Sequence, residues 1–173
     1  MTKRFSFVIA WGCVATLLVV PVIAIYLFFR IDILSTLASQ AIPLPIQWTG
    51  VLTEQWYGFW LLTVLYVTPG LLGLYYLRRA FANFAKGELF TASNSQDLRR
   101  FAILLFIQAI AKPVHLALSS VLLSLHHPAG QKMLTIMLGS NEIKVIALAM
   151  MLWVLSDLLV KASELEHENR QFV

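Results

Sequence analysis

The chain has 173 residues, 59% of them hydrophobic and only 13% charged, with a formal net charge of +4 and a mean hydropathy of +0.76. A soluble domain of this size needs far more polar surface, so composition places the chain among membrane proteins, and its length allows a single domain. The cations cluster at the ends of apolar runs, which argues against direct nucleic-acid binding, and the single cysteine, Cys13, excludes an internal disulfide or a CxxC redox pair.

Lys3 and Arg4 precede an unbroken apolar run over residues 5–29, closed by Arg30. The apolar region of a signal peptide spans about 7–15 residues, so this longer run is expected to remain as a first transmembrane helix, bent at Pro21. In the loop that follows, Leu34, Leu37, Ala38 and Ala41 share helical spacing before Pro43 and Pro45, which predicts a short interfacial helix. Trp48, Trp56, Tyr57 and Trp60 gather at the next entry point, where amphipathic rings favour the headgroup level.

The second span is expected over residues 56–77, with a kink at Thr68-Pro69-Gly70 and an end at Arg78-Arg79. In the loop 78–100, Phe81, Phe84 and Ala85 beside Lys86 predict a separate short basic helix, stopped by Gly87 in the left-handed conformation. Ser93 and Gln96 have capping-box spacing, and Asp97 suits a helix first turn. The third helix is therefore expected to start before the membrane.

The third span, 101–125, carries Gln108, Lys112, His115 and Ser119. At 100° per residue these four fall on one narrow face. An ammonium group in hydrocarbon is expensive, so Lys112 must face protein, water or a partner. Two readings stand. Lys112 either snorkels or pairs inside the bundle, with a carbonyl or with Asp157, or it lines a substrate or ion path with His115 as a proton-accepting neighbour. His126 and His127 mark the exit, and an apolar piece over 133–138 is expected on the outer surface. The fourth span is expected over 143–160, with the tail 161–173 continuing as a helix.

One side of this layout collects Lys3, Arg4, Arg78, Arg79, Lys86, Arg99, Arg100, Lys161 and Arg170, whereas the other has Arg30, Lys132 and Lys144. The positive-inside rule then puts both termini and the 78–100 loop in the cytoplasm. The expected fold is an all-α membrane protein, an antiparallel bundle of four transmembrane helices embedded in the lipid bilayer.

Two stretches resemble a known family. Gly87-Glu88-Leu89-Phe90-Thr91-Ala92-Ser93-Asn94-Ser95-Gln96-Asp97-Leu98-Arg99-Arg100 is similar to the "G-x-x-F-T-x-x-N-x-x-x-L-R" signature of the bacterial domain of unknown function numbered 2975. Leu165-Glu166-His167-Glu168-Asn169-Arg170-Gln171-Phe172-Val173 is similar to that family's closing "L-x-x-E-N-x-x-x-V". The signature positions here are Gly87, Phe90, Thr91, Asn94, Leu98, Leu165, Glu168 and Asn169. The resemblance covers essentially the whole chain and implies a four-span bacterial inner-membrane protein, associated with a small helix-turn-helix regulator. It supplies no catalytic residues. Packing of the acidic tail against the basic loop would pair charges and bury Phe90, Leu98 and Leu165, either as a cap on the bundle or as a docking surface.

The chemistry-bearing residues give no enzymatic pattern: there is no Gly-rich phosphate loop, no paired carboxylates in a span, and no nucleophile–base spacing. Haem would need histidines on facing helices, and only His115 lies deep. His126 and His127 are adjacent and so point different ways. The expectation is a non-enzymatic membrane partner of a cytoplasmic regulator, with no cofactor or metal, either alone or as a homo-oligomer. The alternative is a small transporter or channel subunit built on Gln108, Lys112 and His115.

Overall fold

A computed structural model describes residues 2–42, 46–88, 91–128 and 130–171. Pro43, Pro45 and Phe90 lie outside them, and the side chains of residues 163–171, Leu165, Glu168 and Asn169 included, are likewise outside the description. The described residues form five α-helices: α1 (Thr2–Phe29), α2 (Ile31–Ala41), α3 (Thr53–Lys86), α4 (Ala92–Leu123) and α5 (Ser140–Gln171). A single 3-10 turn, Trp48–Gly50, precedes α3, and no strand occurs among the described residues. Among the described residues, four stretches are helical, long and apolar enough to cross a membrane: Arg4–Phe29, Thr53–Lys86, Ala92–Leu123 and Ser140–Ala162.

Helix α3 departs from the sequence reading. The second span and the short basic helix expected after it are one continuous element of 34 residues. Nothing between Leu77 and Lys86 breaks a helix, and Arg79 and Asn83 both find partners on α4 within this stretch. Gly87 ends the helix with φ of 96°, a left-handed conformation. Its N–H donates to the Phe84 carbonyl, and the Glu88 N–H donates back to Asn83, the paired closure that an αL glycine permits.

The start of α4 is also shifted. Thr91, not Ser93, is its N-cap: the Thr91 hydroxyl accepts from the Asn94 N–H at 3.3 Å. Asp97 is therefore beyond the first turn, where it meets Arg79 and Arg100 at 3.1 and 3.6 Å instead of the helix dipole.

Packing follows chain order. Phe28 of α1 lies against Tyr57 and Trp60 of α3, and the Trp60 indole N–H donates to the Ala24 carbonyl at 2.7 Å. At the other end of the pair, Phe7 and Trp11 approach Arg78, Ala82 and Lys86. Between α3 and α4, Gln55 donates to the Leu122 carbonyl at 2.9 Å, Gly73 meets Phe101, and Asn83 meets Asn94. Gly70 admits the Gln108 side chain: a Cβ at that position would lie 2.5 Å from its amide oxygen. Small residues at such points let helices approach where no water drives them together. Arg99 of α4 sits over the Trp153 ring of α5 at 5.4 Å. Extensive contacts join α1 to α3, α3 to α4 and α4 to α5, and none of that extent joins α1 to α5 among the described residues. The four long helices thus stand in an open row.

Helix α2 folds back over one end of this row. Its buried face is Leu34, Ala38 and, just beyond, Ile42, packed with Ile46, Trp56, Phe59 and Leu123. Leu37, assigned to that face from the sequence, is instead 48% exposed, since i, i+4, i+8 makes the stripe. Trp56, expected as a headgroup anchor, is buried in the cluster and stacks on Trp48. Arg30 and Asp32 form a two-pronged pair at 3.0 and 2.8 Å, and the Arg30 hydrogen bond holds the Asp32 carboxyl below its ordinary range.

The same end is fastened by the two adjacent histidines. The Gln47 N–H donates to His127 Nε2 at 3.1 Å, while His127 Nδ1, 3.1 Å from the Gln131 carbonyl, carries the proton. His126 Nε2 donates to the Gln47 carbonyl at 2.9 Å. Both backbone groups of Gln47 are thereby satisfied, so the pair works as a clasp between two loops.

Candidate functional site: a polar cleft between α3, α4 and α5

The stripe read from the sequence straddles two helix–helix seams. Gln108 and His115 turn towards α3, and Lys112 turns towards α5. Its partner is Glu142, not Asp157: the Lys112 ammonium donates to Glu142 Oε1. Asp157 lies exposed fifteen residues further along α5.

Glu142 is where it is because of how α5 begins. The helix starts at Ser140, and the Glu142 carboxylate reaches back to accept from the Gly139 N–H at 2.7 Å. That is the reach of a glutamate three residues inside a helix start, satisfying a donor the helix leaves orphaned. One oxygen thus caps α5 and the other meets Lys112. The carboxylate is 5% exposed and the Lys112 side chain 49%.

The segment leading to Glu142 differs from the surface-resting piece expected over 133–138. Residues 131–139 carry no helix and run back along α4. The Met133 N–H donates to Ser124 Oγ at 2.9 Å, and the Thr135 N–H donates to Ser120 Oγ at 3.0 Å. Met133 and Thr135 face α4 while Leu134 and Ile136 face outward, 67% and 70% exposed. From Ser124 to Lys112 is a dozen residues of helix, about 18 Å at 1.5 Å per residue. Irregular backbone within an apolar layer must find donors and acceptors in protein, and the serine hydroxyls of α4 supply them.

His115 packs against α3 beside the cleft. Its ring stacks on Tyr66 with centroids 4.9 Å apart, and Nε2 lies 3.2 Å from Thr63 Oγ1 and 3.5 Å from Ser119 Oγ. The Thr63 hydroxyl already donates to the Phe59 carbonyl at 2.9 Å, so His115 Nε2 carries the proton and donates to Thr63. Tyr66, Gln108, Lys112, Asn141 and Glu142 line a cleft of about 220 Å³. A cationic, an anionic and three neutral polar groups therefore share one small volume between apolar helices. Sequence reasoning found Gln108, Lys112, His115 and Ser119 and missed Asn141 and Glu142. No group of three or more His, Cys, Asp or Glu could hold a metal ion among the described residues.

The described signature residues around 87–98 gather at the opposite end of α3 and α4, and Asn94 and Leu98 face inward. Asn94 is fully buried, with Oδ1 accepting from Asn83 Nδ2 at 2.7 Å and Nδ2 donating to the Glu88 carbonyl at 2.5 Å. Leu98 and Asp97 are buried beside it. Gly87 supplies the turn and Thr91 the cap. These residues form a latch that closes the α3–α4 hairpin, and Arg79 and Arg100 are engaged by Asp97 there.

Among the described residues, helices without strands, four of them long and apolar enough to span a membrane and holding charge between them, make the pattern of a multi-span membrane protein. Within that class, the model of the family described as "Protein of unknown function (DUF2975)" matches residues 36–172, and the chain belongs to that family. No curated protein matches the chain significantly. No solved structure does so either.

Proposed function

We propose that residues 1–173 form one domain of the bacterial inner membrane, with four antiparallel spans and both termini cytoplasmic. In this reading it acts without catalysis, holding or modulating a cytoplasmic helix-turn-helix regulator. The contacts at both ends of α1–α3 and along α3–α4 support the antiparallel arrangement, and the basic 78–100 segment supports the orientation. The observation that carries the functional reading is the reach of α5. Arg99 and Trp153 lie side by side; α4 begins seven residues before Arg99, whereas α5 continues eighteen residues beyond Trp153. At 1.5 Å per residue α5 then projects about 16 Å past the hairpin latch. An isolated helix shorter than about 12–15 residues is marginal in water, so such an arm gains from a partner laid against it.

Crosslinking in native membranes, followed by tag purification and mass spectrometry, tests the reading. A small helix-turn-helix protein should accompany the wild type and disappear with Glu168→Ala. Recovery of the protein alone, or with copies of itself only, would refute the tethering role.

The second reading, a small transporter or channel subunit, is favoured by the Lys112–Glu142 cleft. It requires that Lys112→Met abolish a solute flux in reconstituted vesicles while leaving partner recovery intact.

A further inference from the structure

Most arginines at the end of the molecule where α1 begins and α3 finishes are already engaged. Arg79 and Arg100 hold Asp97, Arg100 also lies over Tyr76 at 5.2 Å, and Arg99 lies over Trp153. Arg78 and Lys86 differ. Among the described residues neither takes part in an ion pair or a hydrogen bond, and both line a groove of about 490 Å³ between α1 and α3.

The groove exists because small residues face each other across that seam. Ala10 on α1 and Ala82 and Ala85 on α3 line a trough walled by Phe7, Trp11 and Val14. Its floor belongs to two of the helices able to cross a membrane, and both its cations lie in the last nine residues of α3. Arg78 and Lys86 are eight residues apart on α3, about 12 Å along the axis. Both side chains are long enough to converge on an anion seated between them. Arg4, one turn before Phe7 on α1, adds a third positive charge to the same end.

We propose that this groove binds an anionic phospholipid, with an acyl chain along the alanine trough and the phosphate between Arg78 and Lys86. A zwitterionic lipid would bring its own ammonium against two cations, whereas a net-negative headgroup meets only attraction. Charge complementarity at a headgroup level, over an apolar floor, selects lipid over a free soluble anion, which would leave the trough uncovered.

Native mass spectrometry of the full chain, exchanged into detergent with equimolar palmitoyl-oleoyl phosphatidylglycerol and phosphatidylcholine, tests this. The wild type should retain phosphatidylglycerol at least tenfold over phosphatidylcholine. Arg78→Gln with Lys86→Gln should bring the ratio close to one, whereas Arg78→Lys with Lys86→Arg, or Arg99→Gln, should preserve it. Ala82→Phe fills the trough and keeps both cations, and should lower retention of either lipid. Equal retention of the two lipids by the wild type would overturn the proposal whatever the variants do. An undiminished preference in the folded double glutamine variant would also overturn it.

Discussion

Asn94→Ala is the sharpest test of what the 87–98 signature does. The substitution removes two side-chain hydrogen bonds at a site with no solvent exposure, the one from Asn83 and the one to the Glu88 carbonyl. Each bond contributes about 1 kcal/mol net. Glu88 lies at the surface, so its carbonyl can turn to water, and the heavier loss falls on the half-buried Asn83 amide. A destabilisation of about 2 kcal/mol is expected, most of it a faster unfolding of the α3–α4 hairpin. Asn83→Ala alone should cost about 1 kcal/mol, and the double variant less than the sum, by roughly 0.5–1 kcal/mol, because the two amides share a bond. Reversible unfolding in mixed dodecylmaltoside–SDS micelles, followed by helicity, reads all three. If Asn94→Ala shifts stability by less than about 0.5 kcal/mol and yet strips a bound regulator, the latch argument is wrong and the signature is a contact surface.

Gly87→Ala forces a Cβ into a left-handed residue, and should lower stability in the same assay by about 1–2 kcal/mol. Lys112→Met should release the start of α5. In a Cys13→Ser background, a cysteine at Thr135 should then react faster with a water-soluble maleimide, and exchanging the charges with Lys112→Glu and Glu142→Lys should restore the slow rate; no rate change in Lys112→Met would show that the ion pair does not hold the segment. His127→Ala leaves the Gln47 N–H and the Gln131 carbonyl without their shared partner, so protease nicking near residue 47 should accelerate severalfold, whereas His127→Phe, which keeps the volume, should not rescue it.

The stripe on α4 was legible because helical period alone places Gln108, Lys112, His115 and Ser119 on one face. Its partner was not, because Glu142 sits at a helix start that looks, in one dimension, like the far end of an exit loop. The available signal was Gly139 three residues before Glu142, the spacing of a helix start capped by its own glutamate. A lysine inside a span also demands an acid at its own depth, which Asp157 cannot meet. The continuous α3 was hidden for a related reason. Arg78-Arg79 reads as a boundary by charge, but Asp97 gives Arg79 a partner within the hairpin, so the helix does not stop there. Gly87 was read correctly as a terminator, since only a glycine meets that conformation without strain. Thr91 was passed over in favour of Ser93, two residues that sequence alone ranks almost equally as caps.

The run-back of residues 131–139 along α4 has a consequence for how the chain is made. The hydroxyls that accept from it at Ser120 and Ser124, and the ammonium that meets Glu142, all belong to the stretch synthesised just before it. The last helix therefore cannot settle at its final depth as an independent insertion event; it waits on α4. Biogenesis becomes ordered, and substitutions at 112 and 142 become tied in descent: a relative that loses the lysine should lose the glutamate as well.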